Sequence, residues 1–572
     1  MDKIKQKAIS WSSRFLSGAG KVIMLKSVLT AIPTYAMSCF LLPVSLCNRI
    51  QSALTRFWWD KADQQKGMCW VAWDSLTRPK VKGGLGFKDV AAFNVALLAK
   101  LSWRISQKPG CLLAKVLLGK YCHSEGFFSA NCPEAASHGW RGIIAGRDLL
   151  LKQLGWVIGD GRSVKVWDDP WLSHEKRMQP QGPATCLTKG WRVCDLFHPN
   201  SVDWDEEKVS EVLPEFKDVI LATKPSRSGG TDERVWLGTK DGSYSTKSGY
   251  QEALLDTSRR FPAPLEPNFN WFEQVWHLKC SPKIKIFLWK ALNGALPSGS
   301  QLAVRISGLD PACVRCKEPE SIAHILFNCL FARRVWLLAP LEGLNTIPVF
   351  TDVSVGLAWF RKKKNLPPEG LGHCDLFPWI CWVLWTTRNK QIFNHTPFSE
   401  KETILKAIQD AREWQSAQDP SPQKSSSFPS KRASPEPPPS TLVIHSDAAW
   451  QGSSQRAGLG WTFSRMGNTF RRNTARCEHV SSPLVAEALA VRSALSLAVS
   501  LGFQDVLLLS DCQTLVKAIS QKQTLLEIFG ILWDISEYCN SFNSFRCCFI
   551  PRSSNVEADA LAKDSLTLYS LL

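Results

Sequence analysis

Four acidic side chains in the C-terminal part of the chain have the types and positions of a metal-binding catalytic site. Asp447 ends one predicted strand, Asp511 ends an almost purely aliphatic one, and Asp559 begins a predicted helix. Glu487 lies on a helical face shared with apolar residues, where an ionised carboxylate is costly unless another charge compensates it. Divalent cations would compensate it, because several converging carboxylate oxygens are the ligands that Mg²⁺ prefers. Any one of these acids alone is more simply a helix cap or a turn residue, so the prediction depends on all four together.

A second group of residues has the spacing of a zinc site. Cys313, Cys316, His324 and Cys329 lie within 17 residues and offer three thiolates and one imidazole. This is a full tetrahedral set for a closed, structural Zn²⁺ site. The CxxC pair suits one tight knuckle, and His324 and Cys329 can approach it from the start and the end of a short helix. The alternative is four reduced residues in a chain with 19 cysteines, and the short window favours zinc.

The elements that must position the four acids alternate between strands and helices. An aliphatic run such as 505–511 is typical of a strand that is buried on both faces in a parallel pair. The segment after residue 440 is therefore predicted to be a mixed α/β domain. Its predicted elements are strands at 441–447, 458–463, 505–511 and 545–550, and helices at 483–501, 514–519, 525–538 and 556–563.

The rest of the chain divides by composition. Residues 415–440 are rich in Pro and Ser with almost no aliphatic residues, which predicts a disordered linker. Trp379, Trp382 and Trp385 recur at three-residue spacing, and this stripe favours a buried helix face over a base-stacking platform. The predicted divisions are a helical segment at 1–122, a Trp-rich linker region at 123–242, a small zinc-binding domain at 243–340, a helical segment at 341–414, the disordered linker at 415–440 and the α/β domain at 441–572.

The charge of the chain is distributed unevenly. The 572 residues include 69 Lys and Arg against 51 Asp and Glu, a formal net charge of +18. Residues 441–572 hold eleven of each sign, so the whole excess lies in residues 1–440. A basic body joined to a neutral, carboxylate-bearing domain favours nucleic acid as a partner over a merely solubilising surface charge. No secretory signal or uninterrupted membrane span is recognisable, so we expect an intracellular protein without a membrane partner.

The residues around the four acids carry a family resemblance. This part of the chain resembles the ribonuclease H type 1 family, in its plant retroelement-related branch. The resemblance rests on Asp447, Glu487 within Ala486–Ala490, Ser510-Asp511, Ile550-Pro551-Arg552, Asn555 and Asp559 within Ala558–Ala562. The resemblance implies a mixed five-stranded sheet and two Mg²⁺ ions, or Mn²⁺, held by Asp447, Glu487, Asp511 and Asp559. It implies hydrolysis of the RNA strand of RNA–DNA hybrids, with one metal activating water and the other stabilising the leaving 3′ oxygen. Arg552 and Asn555 are expected at most to support the ligands or contact backbone.

Two further segments carry a second resemblance. The segment around the Cys/His group resembles the reverse transcriptase zinc-binding domain of plant LINE-type retrotransposons. The resemblance rests on Trp276, Pro282-Lys283-Ile284, Phe287-Leu288-Trp289 and Trp336. Residues 1–122 resemble the region that follows the polymerase core of the same elements, but the palm motif of paired aspartates is absent. The resemblance implies structural zinc and possible nucleic-acid contact by the basic body, without polymerase activity, and it suggests a nuclear location.

The fold class predicted from these observations is a multidomain protein with a mostly helical N-terminal body, a small zinc-binding domain and a C-terminal α/β ribonuclease H-like domain. Three hypotheses about function remain open. The first is an RNA–DNA hybrid ribonuclease, which the four acids favour. The second is a catalytically inactive nucleic-acid-binding protein, and the third is a non-functional retroelement fragment. Ala448, where the ribonuclease family often has Gly, and the lack of a His in the 551–555 loop favour the second and third.

Overall fold

The computed structural model describes residues 4, 6, 16–60, 66–123, 126–182, 184–258, 269–367, 370–371, 374–418 and 438–567. The chain forms two compact units, and each combines two segments that are distant in sequence. Unit one contains residues 1–94 and 254–430, and unit two contains residues 95–253 and 431–572. Most of the predicted linker at 415–440 lies outside the described residues.

Helices make up most of the described structure outside the C-terminal domain, as the sequence predicts. Short π-helical turns at Leu25–Leu29, Phe272–Trp276 and His324–Asn328 accompany them. The described α-helices, in chain order, are α1 (Gly18–Met24), α2 (Thr34–Cys39), α3 (Val44–Trp59), α4 (Trp73–Thr77), α5 (Val90–Gln107), α6 (Leu112–Tyr121), α7 (His138–Leu151), α8 (Glu206–Val212), α9 (Lys217–Ala222), α10 (Thr246–Ser258), α11 (Pro282–Leu292), α12 (Gly299–Ala303), α13 (Leu330–Leu337), α14 (Val353–Arg361), α15 (Phe377–Asn394), α16 (Glu400–Ser416), α17 (Pro483–Ser500), α18 (Gln513–Ser520), α19 (Phe529–Asn540) and α20 (Val556–Thr567).

Unit one is built around aromatic side chains. In α15 the stripe of Trp379, Trp382 and Trp385 behaves largely as predicted, since Trp379 and Trp385 are buried and Trp382 is half-buried. The Phe287 ring of α11 lies 5.3 Å from the ring of Trp382, which joins these two helices. Aromatic residues bury large apolar areas, so this packing accounts for a substantial part of the stability of unit one.

Unit two contains all the described strands. A two-stranded antiparallel sheet pairs β1 (Leu154–Val157) with β2 (Glu233–Trp236). The C-terminal strands form a mixed sheet of order β5-β4-β3-β6-β7, in which β3 pairs antiparallel with β4 and parallel with β6. The predicted five-stranded mixed sheet is therefore confirmed. Its strands are β3 (Leu442–Gln451), β4 (Arg456–Arg465), β5 (Asn468–Cys477), β6 (Asp505–Ser510) and β7 (Ser544–Phe549).

Helix α17 forms the centre of the C-terminal core. Ten of its 18 residues are buried, among them Val485, Leu489 and Leu495. By length and composition α17 is also the one helix among the described residues that could cross a membrane. Its apolar face packs instead against the sheet side chains Leu442, Ile444 and others of the same cluster. The core helix of a globular domain passes the same composition test, which explains this result.

A segment from the first half of unit two completes the C-terminal domain. Val157, Val235 and Leu237 form a buried apolar cluster with Leu526 and Phe529. Beside that cluster, the fully buried carboxylate of Asp534 in α19 accepts hydrogen bonds from Ser226 Oγ (2.7 Å), Ser228 Oγ (2.7 Å), Ser228 N (2.9 Å) and Arg227 N (3.1 Å). Arg492 of α17 supplies the counter-charge, with Nη1 3.1 Å from Asp534 Oδ2. We call residues 224–230 the docking loop and Asp534 its receptor.

Candidate active site and metal centre

Three of the four predicted catalytic acids come together at one edge of the sheet. Asp447 lies in the central strand β3, Asp511 follows the parallel strand β6 directly, and Glu487 lies in the first half of α17. Strand β3 runs on to Gln451, so Asp447 lies within it and not at its end as predicted. The parallel pairing of β3 with β6 ends at His445 and Leu509, and Asp447 and Asp511 each follow two residues later, which makes them neighbours. One carboxylate oxygen from each of Asp447, Glu487 and Asp511 lies within 4.8 Å of the others.

The buried oxygens of this group lack ordinary partners. Asp447 Oδ1 accepts a hydrogen bond from the Ala448 N–H at 2.8 Å. Asp447 Oδ2 and Glu487 Oε2 are buried and have no hydrogen-bond partner among the described residues. Burial raises the pKa of Glu487 strongly, and the neighbouring Asp447 and Asp511 raise it further. Burial and Asp511 likewise raise the pKa of Asp447. Carboxylate oxygens that converge without donors suit a hard divalent cation, so the site fits Mg²⁺.

Asp559, the fourth predicted acid, has different surroundings. It lies in the first turn of α20, where its carboxylate accepts hydrogen bonds from Lys563 Nζ at 2.5 Å and Arg552 Nη2 at 3.2 Å. The hydrogen bond from Lys563 is the chief cause that lowers the pKa of Asp559. Asp559 is not one of the three acids whose oxygens converge, although its charge raises the pKa of Asp447. Its role as a metal ligand stays a prediction.

Close packing of α20 on the sheet determines where Asp559 and its loop lie. A Cβ atom on Gly458 would come within 2.3 Å of the Ala562 carbonyl oxygen, and one on Gly460 within 2.5 Å of Ala562 N. Both positions of β4 therefore require glycine for the helix to approach. Asn555, which is buried just before α20, donates from Nδ2 to the Ser446 carbonyl oxygen at 3.0 Å. Asn555 is thus the backbone-contacting residue that the sequence leads us to expect.

Arg552, for which the sequence predicts at most a supporting or backbone-contacting role, pairs with Asp559. Its guanidinium is largely exposed, with 74% of the side-chain surface accessible, and its Nη2 lies 3.2 Å from Asp559 Oδ1. Asp559 raises the pKa of Arg552 most, and Asp447 and Asp511 raise it as well. In the sequence, the only sign of a role for Arg552 near the acids is its place in the Ile550-Pro551-Arg552 motif. An exposed cation beside a carboxylate group is a natural contact for a phosphate.

The Cys/His group also converges, in unit one. Ligand atoms of Cys313, Cys316, His324 and Cys329 all lie within 4.8 Å of one another. Cys316 Sγ is 3.1 Å from His324 Nε2 and 3.8 Å from Cys329 Sγ. The hydrogen bond from the Cys329 thiol lowers the pKa of Cys313, which makes a thiolate available for a metal. Three sulfurs and one imidazole nitrogen at these distances fit Zn²⁺.

A π-helical turn brings the last two of these residues together. Cys329 N–H donates to the His324 carbonyl oxygen at 2.8 Å, the five-residue bond of a π-turn. With 3.6 residues per turn, an α-helix would place residues five apart on different faces, and the wider π-turn reduces that angle. The predicted approach of His324 and Cys329 from the two ends of a short helix is therefore confirmed.

A buried ion pair, which no pattern in the sequence indicates, anchors the segment that carries the Cys/His group. Glu320 lies between Cys316 and His324 and is 1% exposed. Its carboxylate accepts hydrogen bonds from Arg388 Nε at 3.0 Å and from Gly299 N at 2.9 Å, and Arg388 Nη2 also contacts Glu320 Oε2. This pair ties the knuckle to α15, so it holds two of the ligand positions relative to the rest of unit one.

The two segments that carry these centres each match a known sequence family. Residues 445–565 match the family described as reverse transcriptase-like, and residues 244–336 match the family described as zinc-binding in reverse transcriptase. Over 430 residues the chain is 29% identical to the Arabidopsis thaliana protein named "Putative ribonuclease H protein At1g65750", covering 72% of this chain and 66% of that protein. Over 151 residues it is 43% identical to the "Uncharacterized mitochondrial protein AtMg00310" of the same plant, covering 26% of this chain and 98% of that protein.

Two ribonucleases of known structure also match part of this chain. Ribonuclease H1 from Halobacterium salinarum is 23% identical with a TM-score of 0.21, and the match covers 22% of this chain and 98% of that chain. The ribonuclease H1 LC11, solved in complex with an RNA/DNA hybrid, is 20% identical with a TM-score of 0.21, and the match covers 22% of this chain and 98% of that chain.

Proposed function

This chain belongs to the family of plant proteins that includes the mitochondrial protein AtMg00310, and we propose that it is a LINE-type retroelement-derived ribonuclease that hydrolyses the RNA strand of RNA–DNA hybrids. The observation that carries the proposal is the convergence of Asp447, Glu487 and Asp511, with two buried carboxylate oxygens that have no partner among the described residues. The match of residues 445–565 to the reverse transcriptase-like family supports it.

Asp447, Glu487 and Asp511 would hold Mg²⁺. When bound, the metal ions would supply activation of water and stabilisation of the charge on the leaving oxygen. The residues of the chain prepare the site by bringing three carboxylates together, and burial opposes the ionisation of two of them, Glu487 and Asp447, unless a cation is present.

Other residues of the domain would bind and orient the substrate. Arg552, which is exposed and within electrostatic reach of Asp447 and Asp511, would contact a phosphate of the scissile strand. Asn555 would keep the loop that carries Arg552 in place through its bond to the Ser446 carbonyl oxygen. Preference for RNA would come from contacts to 2′-hydroxyl groups, the chemical feature that distinguishes RNA from DNA.

The Cys/His group would hold a structural Zn²⁺ ion through Cys313, Cys316, His324 and Cys329. A closed set of four protein ligands leaves no open position for a substrate, so this centre would stabilise the fold of unit one without taking part in catalysis. The match of residues 244–336 to the zinc-binding family supports this assignment.

The surroundings of Asp559 favour a second candidate function, a hybrid-binding protein that does not cleave. Lys563 and Arg552 neutralise the Asp559 carboxylate, so it is less available to a cation than the other three acids. If Asp559 is needed as a ligand and stays paired with these cations, the domain would bind hybrids without turnover. Cleavage and binding must therefore be measured on the same substrate.

The test is cleavage of a hybrid with a 5′-labelled RNA strand by the purified full chain. The nuclease proposal predicts RNA cleavage that requires Mg²⁺ and falls at least about 100-fold in Asp447→Asn, Glu487→Gln and Asp511→Asn. The matched control is Glu537→Gln, which removes an exposed carboxylate of the same domain and should cleave like the unchanged protein.

Three outcomes separate the hypotheses. Cleavage that persists without divalent cation, or in Asp511→Asn, would refute the proposed site. Tight hybrid binding without cleavage would favour the second candidate function. Neither binding nor cleavage, in a protein that is folded and contains zinc, would favour a retroelement fragment without activity.

A further inference from the structure

Unit one brings together lysines from three distant segments of the chain. Lys26 follows α1, Lys80 and Lys82 belong to the short 3-10 turn Lys80–Lys82, and Lys285 lies in α11. Partial burial and the charge of Lys80 lower the pKa of Lys26, and burial and Lys285 lower the pKa of Lys80. None of these four lysines forms an ion pair with a carboxylate of the described residues. The fold therefore maintains a concentration of like charge at which an external anion would be stabilised.

Two tryptophans flank the turn that carries Lys80 and Lys82. The Lys80 ammonium lies 4.5 Å from the ring centroid of Trp276, and Lys285 Nζ donates to the Trp276 carbonyl oxygen at 3.0 Å. Trp276 Nε1 in turn donates to the Lys80 carbonyl oxygen at 3.1 Å. On the other side of the turn, the Trp271 ring lies against Gly83, where an added Cβ would come within 2.9 Å of it. Cations and aromatic faces thus alternate along one surface.

A cavity opens beside this turn, next to the zinc knuckle. It has a volume of about 420 Å³. Lys82, Arg78 and Trp271 are among the residues that line it, as are Asn293 and Gln301. A cavity of this size accommodates a nucleobase, and its lining offers a π-face for stacking together with hydrogen-bonding groups for a base edge.

We propose that Lys26, Lys80, Lys82, Lys285, Trp271 and Trp276, which we call the lysine–tryptophan surface, bind a single-stranded segment of nucleic acid. Its phosphates lie along the lysines, and one unpaired base enters the cavity to stack on Trp271. This site is in unit one and does not include the carboxylate group of unit two. The bases of a duplex are stacked on each other and unavailable to Trp271, so a single strand is the form that uses both features.

The test measures binding of the full chain to fluorescein-labelled 20-nucleotide single strands by fluorescence anisotropy, without Mg²⁺, across a series of salt concentrations. Each phosphate contact contributes about −0.7 to the slope of log K against log salt for single strands. The double variant Lys80→Gln/Lys285→Gln should reduce the magnitude of the slope by about 1.4, while Lys80→Arg/Lys285→Arg should retain it. Trp271→Ala should weaken binding about ten-fold and leave the slope unchanged.

The matched control is Lys364→Gln/Lys401→Gln, which removes two exposed lysines of the same unit away from this surface. A slope and an affinity that change equally in the control and in the Lys80/Lys285 variant would overturn the proposal. Equal affinity for inorganic polyphosphate, which has no bases, would overturn the assignment of Trp271. RNA and DNA strands serve as separate arms, and tighter binding of one identifies the natural ligand. Because no cleavage is measured, a failure of the nuclease proposal would leave this result unaffected.

Discussion

The docking loop and its receptor give the sharpest test of how unit two is held together. Replacing Asp534 with Ala removes a fully buried carboxylate that accepts hydrogen bonds from Ser226, Arg227 and Ser228 and pairs with Arg492. The Arg492 side chain, which is 9% exposed, would then be a buried cation without a counter-charge. The backbone N–H groups of Arg227 and Ser228 would lose their acceptor at the same time.

The magnitude follows from the burial of the pair. Removing one partner of a buried ion pair costs about 3–5 kcal/mol, because the other charge is left uncompensated. For the roughly 300 residues of unit two, that corresponds to a Tm lower by about 5–8 °C. The second variant Asp534→Ala/Arg492→Met removes both charges, so it should recover part of the loss while the orphaned N–H groups keep it below the unchanged protein.

Calorimetric unfolding of the full chain provides the assay, with Asp203→Ala as the matched control. Asp203 pairs at 2.7 Å with the neighbouring loop residue Arg227, but its side chain is 59% exposed. An exposed pair contributes only about 0–1 kcal/mol, so the control should unfold close to the unchanged protein. If Asp534→Ala destabilises no more than Asp203→Ala, the docking loop is not a structural part of the C-terminal domain and the reasoning fails.

The remaining predictions concern unit one. Cys316→Ser should lower the zinc content of the full chain from about one equivalent to none, as measured by atomic absorption, whereas Cys186→Ser, at an exposed cysteine outside the group, should leave it unchanged. Glu320→Gln leaves Arg388 buried without its counter-charge and should destabilise unit one by about 3–5 kcal/mol in urea unfolding, with partial recovery in Glu320→Gln/Arg388→Met. Burial, together with Lys21, lowers the pKa of Lys290 to about 8, below its value of about 10.4 in an unfolded chain. The unfolded state therefore binds more protons between these two values, so the destabilisation due to Lys290 is complete below pH 8 and disappears as the pH rises toward 10.4. Lys290→Met should accordingly stabilise the protein at pH 7 in urea unfolding, and a gain that stays constant up to pH 10.5 would contradict this assignment.

The parts of the fold that have a local pattern could be predicted from the sequence. The aliphatic run that becomes β6 and the amphipathic run that becomes α17 were predicted within one or two residues, and with them the convergence of Asp511 and Glu487. Strand β5 was not predicted as an element, because its sequence NTFRRNTARC is an exposed edge strand without alternation of apolar residues. Only the family resemblance indicated a fifth strand.

Long-range polar contacts could not be predicted in the same way. Ser226 and Asp534 are 308 residues apart, and neither lies in a pattern that identifies its partner. The same holds for Glu320 and Arg388, which are separated by 68 residues. By contrast, the pairing of Asp559 with Lys563 follows from helical spacing of four residues and was available from the sequence. The composition of a segment and the periodicity of its apolar residues therefore predict its helices and strands, whereas the partners of buried charges depend on tertiary packing.

The division of unit two between residues 95–253 and 431–572 has a consequence during synthesis. A ribosome that adds about 5–20 residues per second needs roughly 15–60 s to proceed from Ser226 to Asp534. Throughout that interval the apolar side chains of Val157, Val235 and Leu237 remain without the half of the cluster that covers them. Nascent chains of this protein should therefore recruit chaperones that bind apolar surface until α19 has emerged from the ribosome, and a delay in translation within 254–430 should increase aggregation.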